Sequence, residues 1–138
     1  MRLSMTGEYA VRAMLYLTAQ TPGHLSLIAD ISRSEEVPET ILRKIMAQLV
    51  KSGLVRSFRG SGGGIRLARA PEAISLLEII ETIEGRIYLN QCLIAPDFCD
   101  RISGCTVHPV WREVQDSMVN ILGGKSLKDL VAADLEEA

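Results

Sequence analysis

Apolar positions recur every three to four residues over 6–19, where Tyr9, Ala10, Ala13, Met14 and Leu17 would line one face of a helix. The run Thr21, Pro22, Gly23 ends it. A short second helix is expected over 25–31, with the polar stretch SRSEEVP after it as a turn. The third helix has the clearest pattern. In VPETILRKIMAQLVKSG, Pro38 suits the first helical position, Glu39 the positive end of the dipole, and Gly53 the stop. Ile41, Leu42, Ile45, Met46 and Leu49 form its buried stripe, leaving Thr40, Arg43, Lys44 and Ala47 on another face. Two strand-like stretches, 54–58 and 65–68, flank Gly60, Gly62, Gly63 and Gly64 and predict a β-hairpin. Ser75 and Glu78 then frame a helix that ends at Gly85. A further helix starts at Pro109 and runs to about Leu122, with apolar positions Val110, Val114, Met118, Ile121 and Leu122. A last short helix starts at Ser126 and Asp129.

The order helix, helix, polar-faced helix, glycine-tipped hairpin is that of a winged helix-turn-helix. Composition agrees with a mainly helical fold. The chain has 138 residues, 47% of them hydrophobic but only 4% aromatic, so Leu, Ile, Val, Ala and Met must build the core. We divide it into a DNA-binding unit, 1–72, and a second unit, 73–138, packed with it as one body. The opening residues lack the continuous apolar run of a signal peptide or membrane span, which predicts a cytoplasmic protein with no membrane partner.

Charge sharpens this reading. The net charge is only −2, yet residues 43–69 carry Arg43, Lys44, Lys51, Arg56, Arg59, Arg66 and Arg69 and no acidic residue. A local basic surface is what a polyanion feels, so double-stranded DNA is the expected partner. Residues 40, 43 and 44 lie toward the start of the third helix, where such helices contact bases. Arg59 beside the glycine tip suits the negative potential of a narrow minor groove. GSGGG is not a nucleotide-binding loop, because it lacks the Gly-Lys-Ser/Thr ending and precedes a strand. No grouping of nucleophile, base and acid suggests an enzyme.

All three cysteines fall in one segment, as C-x6-C-x5-C-x2-H: Cys92, Cys99, Cys105 and His108. Thiolates and imidazole bind soft metals, and an odd cysteine count argues against a disulfide framework. Gaps of five and six residues let an irregular loop encircle an iron–sulfur core, whereas structural zinc favours tighter pairs. His108 can close the coordination, and Glu8 from a partner's first helix is a second candidate.

On these residues the chain resembles the IscR/NsrR/RirA-type regulators, the Rrf family of bacterial winged-helix transcription factors. The resemblance rests on residues 1–17, on ILRKIMAQLVKSGLVRSFRGSGGGIRLAR at 41–69, on ISLLEIIETIEG at 74–85 and on the Cys-Cys-Cys-His loop leading into HPVWREV. It implies a homodimer joined through long C-terminal helices, with each subunit offering its third helix and wing to half of a near-palindromic operator. It places Thr40, Arg43 and Lys44 on the recognition helix and Ser57, Arg59, Gly60 and Gly62 in the wing. It implies a cluster on Cys92, Cys99 and Cys105: 2Fe–2S, the favoured form, with His108 as fourth ligand, or 4Fe–4S with the partner's Glu8. The chain departs from IscR-type members, which carry Glu and Gln in place of Arg43 and Lys44, and its first cysteine gap is one residue longer. The resemblance thus implies a repressor that senses iron, redox state or nitric oxide; the alternative is a member of the same family with zinc or no metal that senses a small molecule or a protein partner, while the basic residues 43–69 argue against a small iron–sulfur redox protein.

Overall fold

The hydrophobic stripe of the third helix is the centre of the molecule. The computed structural model describes residues 2–95 and 100–137. Six α-helices and a two-stranded sheet follow one another as α1 Met5–Thr18, α2 Ile28–Glu35, α3 Glu39–Lys51, β1 Val55–Phe58, β2 Gly64–Leu67, α4 Leu76–Glu84, α5 His108–Gly123 and α6 Leu127–Glu137. Leu42, Ile45 and Leu49 of α3 are fully buried against Ala10, Ala13 and Met14 of α1 and Ile31 of α2. This core continues through Ile74 and Ile79 to Leu127 without a break at residue 72, so α1 packs against α2 and α3 and also against α4 and α6.

α2 lies later than the sequence pattern suggests, at Ile28–Glu35 rather than 25–31. The reason is pairing. Ser26 exchanges two backbone hydrogen bonds of 2.8 Å with Ile65, so this segment serves as a short third strand beside the wing. The stretch read as a turn is therefore mostly helix, and it ends only where Glu36 takes a left-handed conformation with φ 55°. Pro38 sits one place earlier than expected, just outside α3. α3 closes with Gly53 at φ 77°, which lets Leu54 N–H reach the Leu49 carbonyl at 2.9 Å.

The wing is antiparallel, with Val55 opposite Leu67 and Phe58 opposite Gly64. Its tip needs glycine at Gly63, where a Cβ would run into the Phe58 carbonyl and lie 2.9 Å from the Gly60 carbonyl. Beyond it, the Ser75 hydroxyl caps α4 by accepting from Glu78 N–H at 3.1 Å. The Glu78 carboxylate does not return to complete the box. It accepts from Arg69 at 2.6 and 3.0 Å instead. At α6 the box is complete: Ser126 N–H donates to Asp129 at 3.0 Å and Asp129 N–H to the Ser126 hydroxyl at 3.1 Å. Chiefly that Ser126 N–H holds the Asp129 carboxyl below its usual range. None of the described helices is long and apolar enough to cross a membrane.

Candidate nucleic-acid interface and cysteine site

Burial of Leu42, Ile45, Met46 and Leu49 fixes the rotation of α3 and turns Thr40, Arg43, Lys44 and Ala47 outward, where all four are exposed. Arg43 is held by Glu39 one turn earlier, at 2.6 Å. Lys44 has no acidic partner among the described residues. In the wing, Ser57, Arg59, Gly60 and Gly62 are exposed, with Gly60 at φ 88° and Gly62 at φ 79°. Of these candidates the fold brings Arg43 and Ser57 to one groove; Thr40, Lys44, Arg59, Gly60 and Gly62 do not line it. Arg43 and Glu39 of α3, Ser57 and Phe58 of the wing and Leu27 before α2 line one groove of about 360 Å³.

The basic run is not uniformly free. Arg69 is tied back by Glu78 and by the Ala73 carbonyl, and the Glu78 bond raises its pKa above the usual value. Arg56 and Arg66 remain on the outer face of the wing, without an acidic partner among the described residues. They belong to the basic run of the sequence but not to its expected contact residues, although their even spacing from Phe58 and its partner Gly64 places them on one face.

The cysteine site is built on irregular backbone. Cys92 lies in the single turn Gln91–Leu93 and Cys105 follows the turn Ile102–Gly104; both are free and half-buried. The Cys92 thiol faces the Asn90 amide oxygen at 3.7 Å. Cys99 lies outside the described residues. His108 opens α5, and its Nδ1 is buried with no hydrogen-bond partner among the described residues. Among those residues no three His, Cys, Asp or Glu side chains converge as a metal site. The donors nonetheless suit a soft metal group: two free thiols flank the stretch and an orphaned imidazole nitrogen stands at its end. Glu8 is exposed in the first turn of α1.

One residue here escaped the sequence pattern. Gln115 is the buried residue of α5. Its carbonyl accepts from Leu89 N–H at 2.8 Å and its amide donates to the Ile87 carbonyl at 2.7 Å. The signal was its place four residues after Trp111 and seven before Leu122. That is the inward line of α5, whereas Val110, Val114 and Ile121 face solvent.

Comparison with known proteins agrees with this geometry. Residues 3–133 match the family described as Rrf2, iron-dependent transcriptional regulator. The transcriptional regulator IscR of Xenorhabdus nematophila is 33% identical over 131 residues, covering 95% of this chain and 79% of that protein. Among solved structures, T. potens IscR is similar with a TM-score of 0.78 and 28% identity, covering 97% of this chain and 88% of that one. CymR, the global cysteine regulator of B. subtilis, is similar with a TM-score of 0.81 and 25% identity, covering 96% and 98%. With its winged helix-turn-helix and these relatives, which are regulators rather than enzymes, the chain belongs to the Rrf2 family of DNA-binding transcriptional regulators.

Proposed function

We propose that the protein is a cytoplasmic, homodimeric repressor whose affinity for a near-palindromic operator is set by an iron–sulfur cluster on Cys92, Cys99, Cys105 and His108. The observation that carries this is the buried Nδ1 of His108, which has no hydrogen-bond partner among the described residues and stands three residues beyond Cys105 at the head of α5. A buried nitrogen without a partner costs stability unless something ligates or bonds it. His108 is therefore favoured over the partner's Glu8 as fourth ligand, and a 2Fe–2S cluster over 4Fe–4S. Such a cluster, when bound, supplies a centre reactive toward oxidants and nitric oxide and dependent on iron supply.

The chain's own residues supply the rest. Thr40, Arg43 and Lys44 face the major groove, while Ser57, Arg59, Gly60 and Gly62 approach the adjacent minor groove. Residues 1–72 thus bind DNA, and residues 73–138 hold the cysteine stretch and the dimer seam. Val107 just before α5 and Val110, Val114 and Ile121 on it lie 40–64% exposed at heptad spacing, which suits the α5 of a second copy. Gln115 ties segment 87–89, which leads into Cys92, to that helix. A change in the cysteine stretch therefore reaches the seam, and the seam sets the separation of the two α3 helices. Half-sites one turn apart require about 34–36 Å.

The test is Cys105→Ala in anaerobically purified protein. We expect loss of iron, sulfide and visible absorbance, together with an operator affinity shifted roughly tenfold, about 1.4 kcal/mol. Wild-type protein free of iron, or unchanged affinity despite complete cluster loss, overturns the sensing reading and leaves a regulator that answers another signal.

A further inference from the structure

We infer that Arg56, Phe58 and Arg66 form a second phosphate-binding surface, on the outer face of the wing. Arg56 stands directly opposite Arg66 across the β1–β2 pair. Like charges in that position repel, so the placement works against the stability of the hairpin. Among the described residues neither arginine has an acidic partner, and Arg66 Nε is buried there without a hydrogen-bond acceptor. What holds them is Phe58. Its ring lies 5.9 Å from the Arg56 guanidinium carbon and 5.2 Å from that of Arg66. Two cations therefore share one aromatic ring that is itself 38% exposed. Val55 and Ile65 take the core side of the hairpin, while Arg66 is half-buried and lines a hollow with Leu17, Thr18 and His24.

Two guanidinium groups, stacked and lacking carboxylates, present fork-shaped donors to an anion. The surface is continuous with the recognition groove, because Phe58 also lines it with Arg43 and Ser57. No acidic residue interrupts the chain between 43 and 69. The occupant is therefore the phosphodiester backbone of the bound duplex, where it flanks the groove entered by the glycine tip. This inference rests on the reading that the wing touches DNA through Ser57 and Arg59.

The experiment measures binding of a short duplex, selected by the wild-type protein from a random-sequence pool, as a function of salt. Arg56→Ala and Arg66→Ala should each lower the slope of log K against log salt by about 0.9, and the double variant by about twice that. Their melting temperatures should stay level or rise, because a like-charge pair is relieved. Phe58→Leu should keep the slope and lose several-fold in affinity. A double variant with wild-type slope and affinity overturns the inference. Arg59→Ala separates the two failures: if it too leaves the slope unchanged, the wing does not contact DNA at all.

Discussion

The winged-helix half, proposed to face DNA, and the cysteine stretch place their candidate functional side chains in opposite ways. In the first, regular structure does the placing: four buried residues of α3 fix its rotation, so Thr40, Arg43 and Lys44 have no choice but to face out. In the second, Cys92 lies in one short turn and Cys105 follows another, and Gln115 on α5 holds the segment before Cys92 at Ile87 and Leu89. A half set by packing keeps its geometry whether or not a partner is bound. A segment held by two side-chain hydrogen bonds and the burial of Ile87 and Leu93 is easier for a ligand to redirect, which is the property a sensor requires.

The largest effect that sharpens this contrast comes from the core of α3. Leu42→Ala should cost about 2–5 kcal/mol by opening a cavity under the recognition face. It should show as a lower denaturation midpoint at an unchanged m-value, with loss of operator binding as the population unfolds. If Leu42→Ala instead left unfolding near wild type and abolished binding, α3 would not be positioned by packing.

Gln115→Leu comes next. It leaves Leu89 N–H and the Ile87 carbonyl without their partner, at about 1–3 kcal/mol for a buried group. Hydrogen exchange at Leu89 should quicken while exchange in α3 stays protected. On the reading proposed above, the difference in operator affinity between cluster-loaded and cluster-free protein should also shrink. Protection lost equally in α3 and at Leu89 would mean one cooperative unit, and the contrast between the halves would fail.

The same contrast explains what could be read in advance. α3 was legible because its apolar period, terminal Glu39 and Gly53 all point to one helix. The wing was legible from its glycines. α2 was misplaced because its start depends on Ser26 pairing with Ile65, some forty residues away, and no local pattern records such a contact. Gln115 was missed for a related reason: a polar residue on an inward helical line reads as a flaw until its two backbone partners are known. The apolar positions on α5 were visible, but which of them face inward depends on α4 and segment 87–89. The candidate donors at 92, 105 and 108 were plain from the sequence, whereas no local pattern says how irregular backbone places them in space.

The smallest effect on stability, and the finest probe of the DNA-facing half, is Arg43→Ala. Its ion pair with Glu39 spans one helical turn at an exposed position, so its loss should change stability by no more than about 0.5 kcal/mol. Binding should respond far more. Removing Arg43 takes away a basic contact and also frees the Glu39 carboxylate in the groove shared with Ser57 and Phe58. That carboxylate then faces the phosphates without its cation. Arg43→Ala should therefore weaken operator binding beyond the loss of one contact, and combining it with Glu39→Ala should restore part of the affinity. Glu39→Gln alone should tighten binding, because it releases Arg43 toward DNA while keeping the shape of the first turn. A double variant no better than Arg43→Ala would show that Glu39 lies away from the DNA, and that the groove between α3 and the wing is not part of the interface.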